Sequence, residues 1–150
     1  MAINPNTDFT AGAVLTAAQQ NRFPRGVMAY TTSTTTSGSI TTEAVQITGS
    51  SFTAVANRYY KVTYFESGLT GTNTDANARL RLTNISGTVL ALQAVAVPST
   101  GGGFVHLAYV GTFTAGTTNV VATISGSAAV VANRSATRPS FLLVEDIGPA

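Results

Sequence analysis

The chain has 150 residues, 44% of them hydrophobic and only 9% charged, with no cysteine and a single histidine. That length suits one domain, able to bury roughly 70% of its unfolded-chain surface. The hydrophobic content excludes a disordered chain. The missing cysteines exclude disulfides, thiolate metal sites and a cysteine nucleophile, and the lone His106 excludes a multi-histidine metal site within one chain. Threonine, with 25 residues, and Ser, Gly and Asn take the place of charge, the composition of a β-rich protein with a neutral polar surface.

Residues 1–25 differ from all that follows. Asn4-Pro5-Asn6-Thr7-Asp8 is turn chemistry. Leu15 to Asn21 reads as a short helix, with Thr16 as cap and Gln19 completing a capping box. Phe23-Pro24 ends it, because the residue before proline disfavours helical dihedrals. So short a helix is marginal alone, so the arm needs a surface for its apolar anchors Ile3, Phe9, Val14, Leu15 and Phe23, either its own domain or a neighbouring subunit. The opening residues lack the basic and long apolar regions of a signal peptide. The expectation is a protein made in the cytoplasm that stays there, or leaves inside a particle or by lysis.

From Gly26 onward, period-two alternation and β-branched or aromatic residues mark strand after strand. They are expected near 27–32, 44–48, 51–55, 59–66, 78–84, 88–95, 104–114, 119–125 and 139–147. The breaks between them include Thr48-Gly49-Ser50, Ser67-Gly68, Ser86-Gly87, the run from Pro98 to Gly103, Ala115-Gly116 and Ser125-Gly126. The Thr/Ser/Gly-rich stretch 31–42 reads as a bulged strand, a surface loop, or both. With no helix between strands, the expected fold is all-β: an antiparallel two-sheet sandwich, jelly-roll-like, spanning 26–150 behind the helical arm.

Alternation also tells which faces are buried. Leu80 and Leu82 alternate with Arg79 and Arg81, so one side of that strand is polar. Val89 to Leu92, and Phe104 to Val110, are apolar on both faces, although an antiparallel sandwich ordinarily leaves one face of each sheet solvated. The second face is therefore expected to meet another subunit, with Leu90, Leu92, Val105, Leu107 and Tyr109 as candidate interface residues. Phe141 to Val144 is also two-faced, so the terminal strand is expected to pair centrally.

Catalytic and binding chemistry has little to work with. His106 lies in an apolar strand, and no G-x-S-x-G elbow is present. Glu145 and Asp146 are strand neighbours pointing to opposite faces, so they cannot form a local carboxylate pair. Asn73-Thr74-Asp75-Ala76-Asn77 resembles part of a calcium loop but has Ala78 at the sixth position and Asn84 at the twelfth. Gly101-Gly102-Gly103 precedes a strand and fails the phosphate-binding patterns. The seven arginines and one lysine are scattered, giving a net charge of +2, which excludes the clustered footprint of a nucleic-acid binder. The longest nearly apolar stretch, 89–97, is far short of the ~20 residues of a membrane helix. Tyr60 and Tyr64 share one strand face and Tyr59 takes the other, serving either as sandwich core or as sugar contacts.

Two segments resemble a known family. Asn6 to Asn21, running into Phe23-Pro24-Arg25-Gly26-Val27, resembles the N-terminal arm of small virion proteins of tailed bacteriophages. Arg138-Pro139-Ser140-Phe141-Leu142-Leu143-Val144-Glu145-Asp146-Ile147-Gly148-Pro149-Ala150 resembles their C-terminal segment. Phe52 to Thr63 is similar to their central strand pair. The resemblance implies a non-enzymatic minor tail, fibre or head-decoration protein, a β-sandwich that assembles as an oligomer, often a trimer, and needs no cofactor. On that reading Phe9, Val14, Leu15 and Phe23 dock the arm onto other virion proteins. A host-surface glycan is the alternative partner, and the protein's place is the virion.

Overall fold

In the computed structural model, which describes residues 11–100 and 102–150, eight long strands form two facing antiparallel sheets. The strands are β1 (Gly26–Ser33), β2 (Ala44–Thr48), β3 (Phe52–Ala54), β4 (Arg58–Gly71), β5 (Thr74–Leu82), β6 (Val89–Val97), β7 (Gly103–Gly111), β8 (Gly116–Thr118), β9 (Val120–Gly126), β10 (Val130–Ala132) and β11 (Ser140–Pro149). The first sheet runs β1-β11-β4-β7, with β10 taking over β11's side of β4 at its far end; the second runs β2-β9-β5-β6. Short β3 and β8 pair with each other. Apart from the β5–β6 hairpin, successive long strands switch sheets, and the pairing order is that of a jelly roll. The all-β sandwich is as the residue pattern led us to expect, and the terminal strand β11 does lie inside its sheet, between β1 and β4.

Inward residues of both sheets form one core. Val62, Tyr64, Val105, Leu142 and Val144 of the first sheet, and Ala78, Leu80, Ala122 and Ile124 of the second, are buried. Phe52, Tyr60 and Phe113 meet at ring-centroid distances of 5.5–5.7 Å and fill one end. Tyr60 and Tyr64 are wholly buried, so these aromatics serve the core. The Tyr60 hydroxyl accepts the Val55 N–H at 2.8 Å.

The pattern differs from expectation at three places. Ser67-Gly68 is a bulge within β4, not a turn: the register with β7 shifts between Glu66 and Leu69, and the strand runs on to Gly71. The true turn falls at 72–73, where Asn73 adopts φ +53°. β5 consequently starts at Thr74, so most of the oxygen-rich run read as a calcium-loop fragment is strand. Two three-residue strands, β8 and β10, were too short and too weakly patterned to read.

Helix α1 (Ala17–Gln20) has both arms of the capping box: Thr16 Oγ1 accepts the Gln19 N–H, and the Gln19 side chain reaches back to the Thr16 N–H at 2.9 Å. Among the described residues no helix is long and apolar enough to cross a membrane.

Candidate assembly interface

The outward faces of the two sheets have opposite chemistry, and register shows why. Across the first sheet, Tyr30, Leu143, Thr63 and Ala108 form one row; Thr32, Phe141, Phe65 and His106 form the next. Tyr30 and Phe65 flank Phe141 at centroid distances of 6.1 and 5.5 Å, the second pair stacked. Val27 and Phe104, each 62% exposed, and Val110, 56% exposed, extend the apolar surface toward its margins. The charge on this face is one long ion pair, Lys61 with Glu145 at 3.8 Å. Thr63 Oγ1 is buried among these side chains without a hydrogen-bond partner.

Across the second sheet, Val45, Thr123, Arg79 and Leu92 share a row, and a charged network covers it. Arg81 donates two hydrogen bonds to the Glu43 carboxylate, at 2.6 and 2.9 Å. Thr123 Oγ1 donates to the same carboxylate at 2.5 Å, and Arg79 stands 3.6 Å away. Chiefly through the Arg81 hydrogen bond, and against the opposing pull of partial burial, the Glu43 carboxyl is held below its ordinary value. Thr123, paired with Arg79 across the strands, is fully buried.

The candidate interface residues sort accordingly. Val105 and Leu107 are buried in the protomer's own core, and Tyr109 and Leu90 pack against it. These four cannot form a seam between folded subunits, because they lie on the inward side of their strands. Leu92 is 53% exposed but belongs to the second, ion-paired face. The apolar surface that β7 offers to solvent is its other side, Phe104, Ala108 and Val110. Both sides of this strand are therefore apolar, and the side named as the candidate interface faces the protomer's own core.

Val14, Leu15 and Phe23 of the arm are exposed; Phe9 and Ile3 lie outside the described residues. The arm's last residues are nevertheless fastened to the domain. Arg58, 5% exposed at its side chain, donates to both Asp146 oxygens at 2.5 and 2.7 Å and to the carbonyls of Asn21 and Phe23, both at 2.6 Å. Burial pulls the Asp146 carboxyl upward, but the Arg58 pair and the Gly148 and Arg25 N–H groups outweigh it and hold the carboxyl low. A boundary drawn at residue 25 thus cuts through a clamp. Glu145 and Asp146 do take opposite faces, one in the outward Lys61 pair and the other inside.

A second internal pair closes the opposite end of the sandwich. Arg134 donates to Glu66 at 2.5 Å through Nη2 and to the Gln46 side chain at 3.1 Å; Ser140 Oγ donates to Glu66, as does the Tyr64 hydroxyl at 2.7 Å. Burial, then the Glu66 carboxylate, drives the Tyr64 hydroxyl well above its usual range, keeping it a donor. Neither Arg58 nor Arg134 stood out in sequence. Nothing in a lone arginine distinguishes a solvated side chain from one paired across more than sixty residues.

His106 points outward opposite Phe65, whereas Glu66 and Ser140 face inward, so the histidine and this serine and acid do not meet. Among the described residues no three His, Cys, Asp or Glu side chains group to hold a metal. No protein-family model matches the chain, and no curated protein matches it.

Proposed function

We propose that the chain is a non-enzymatic assembly subunit of a tailed-bacteriophage virion, an oligomer that buries the outer face of β1-β11-β4-β7 and docks through its N-terminal arm. The observation that carries this reading is that face: aromatic and aliphatic side chains cover one side of the sandwich, with three aromatic rings in contact across it, while ion pairs of Glu43 with Arg79 and Arg81 break up the exposed apolar residues of the other. Contiguous exposed apolar surface of this kind marks interaction sites, and two such faces would stack about 10 Å apart as sheets do. Jelly rolls serve viral capsids, lectins and cupins alike, so the fold alone selects no function.

The virion assignment rests on the resemblance of the arm and of the C-terminal segment. These two stretches meet at the Arg58 clamp, which gives them a shared structural role. We favour a trimer, three equivalent faces around one axis, in a minor tail, fibre or capsid-decoration position. Native mass spectrometry of the purified chain tests the assembly: a trimer is expected, and a monomer at micromolar concentration contradicts it. Peptide mapping of purified phage particles tests the location, and absence of the chain from them overturns it.

A further inference from the structure

Past the apolar rows, at the far end of β4, the loop between β10 and β11 folds over the Ser67-Gly68 bulge and encloses a pocket of about 410 Å³. Ser67, Gly68, Thr70, Gly102, Asn133 and Arg138 line it, and that volume suits a small ligand. Register puts its side chains on one side of the sheet. Leu69 and its partner Ala132 are buried in the core, so their neighbours Thr70 and Asn133 take the outward side. Ser135 and Arg138 exchange backbone hydrogen bonds at 3.2 and 3.1 Å, which turns the loop back on itself. Ser67 Oγ then donates to the Arg138 carbonyl at 2.8 Å and ties the loop to the bulge. A Cβ at Gly68 would stand 3.4 Å from Arg138 Nη2, so the guanidinium lies directly over that glycine.

The groups left to a ligand are donors. Asn133 Nδ2 donates to Thr70 Oγ1 at 2.7 Å, which leaves the Thr70 hydroxyl proton uncommitted. Arg138 spends one N–H, on the Asn133 carbonyl at 3.4 Å, and a guanidinium carries five. Arg58, Arg79, Arg81 and Arg134 each have a carboxylate partner; among the described residues Arg138 has none. No acidic side chain is among the described lining residues. Glu66, next to Ser67 in the chain, points into the core, where Arg134, Ser140 and Tyr64 hold it. A permanent cation with a hydroxyl donor beside it and no negative charge to satisfy it fits an oxyanion, which a guanidinium takes in fork geometry.

We propose that this pocket binds a small oxyanion, a carboxylate or a phosphate, on the Arg138 guanidinium with the Thr70 hydroxyl as second donor. The proposal is independent of the assembly reading, because the pocket lies beyond the row of Phe65 and Phe141 and is complete within one protomer. The test is an amide-resolved NMR titration of the full chain in low-salt, phosphate-free buffer. Inorganic phosphate and glucuronic acid supply the two kinds of oxyanion, and glucose is the neutral control. Saturable shifts confined to residues 67–70, 102 and 133–138 are expected with at least one anion and none with glucose; whichever anion binds more tightly identifies the ligand's head group. Arg138→Gln, at an exposed position, should weaken binding about tenfold, and Thr70→Val, which removes the hydroxyl but keeps the shape, about threefold. Arg25→Gln, at another exposed arginine, should leave it unchanged. No saturable shift with either anion, shifts spread over the other arginines, equal shifts with glucose, or wild-type affinity in either pocket variant overturns the proposal.

Discussion

The two outer faces of the sandwich begin from the same strand chemistry and end differently. On β2-β9-β5-β6, the alternating residues include Arg79, Arg81 and Thr123, and Glu43 arrives from the preceding loop to pair with them; the charged side chains there are paired within the protomer, with Val45, Val89 and Leu92 exposed beside them. On β1-β11-β4-β7, the corresponding positions are Tyr30, Phe65, Phe141, Leu143 and Ala108, and the partners they lack are apolar. A chain with so little charge has not thinned it evenly. Apart from the arm and loops, it has concentrated charge inside the sandwich and on one face, and nearly cleared the other.

Removing what the faces share should have the largest effect. Arg134 spans Glu66 on one sheet and Gln46 on the other, so Arg134→Ala leaves a buried carboxylate uncompensated and should cost about 3–5 kcal/mol, read by urea denaturation. If the cost is under ~1 kcal/mol, water is satisfying Glu66 and the pair does not hold the sheets together.

A charge set into the apolar face comes next. Ala108→Asp should weaken self-association about a hundredfold, or ~2.7 kcal/mol, in sedimentation velocity. Ala94→Asp, on the outward side of β6 in the second sheet, should leave it unchanged. Equal effects would erase the distinction between the faces.

The arm adds a comparison within one segment. Deletion of residues 1–25 removes the carbonyls that Arg58 binds and should cost about 1–3 kcal/mol for the buried donors left unpaired. Deletion of residues 1–15 should leave the thermal midpoint nearly unchanged.

A smaller effect is expected at the half-buried network on the second outer face. Arg81→Ala should cost about 1 kcal/mol. Glu43 is held below its unfolded value by this arginine, so its contribution is complete above the ordinary carboxylate range and disappears as pH falls through the folded value. The stability difference between wild type and Arg81→Ala should therefore narrow on acidification, and widening would contradict the pairing.

Much of this was legible in the residues. Alternation at Leu80/Arg79 and Val62/Lys61 gave strand faces correctly, and the two-sided apolarity of Phe104–Val110 pointed to an outer surface. Which side was outer was not legible, because Val105-Leu107-Tyr109 and Phe104-Ala108-Val110 are equally apolar and only pairing with β4 decides between them. Ser67-Gly68 has turn composition, yet a bulge uses the same residues. The clamps at Arg58 and Arg134 depend on strands brought together from distant parts of the chain, and local pattern carries no trace of them.

The absence of cysteine allows one direct measurement of the difference between the faces. Single-cysteine variants Ala108→Cys and Ala94→Cys place a thiol at an exposed position on each outer face, and thiol-labelling rates report access to each. At concentrations where the chain associates, the cysteine at position 108 should become protected while that at 94 stays reactive, and dilution should equalise them. Equal labelling of both at every concentration would contradict burial of the β1-β11-β4-β7 face in an assembly.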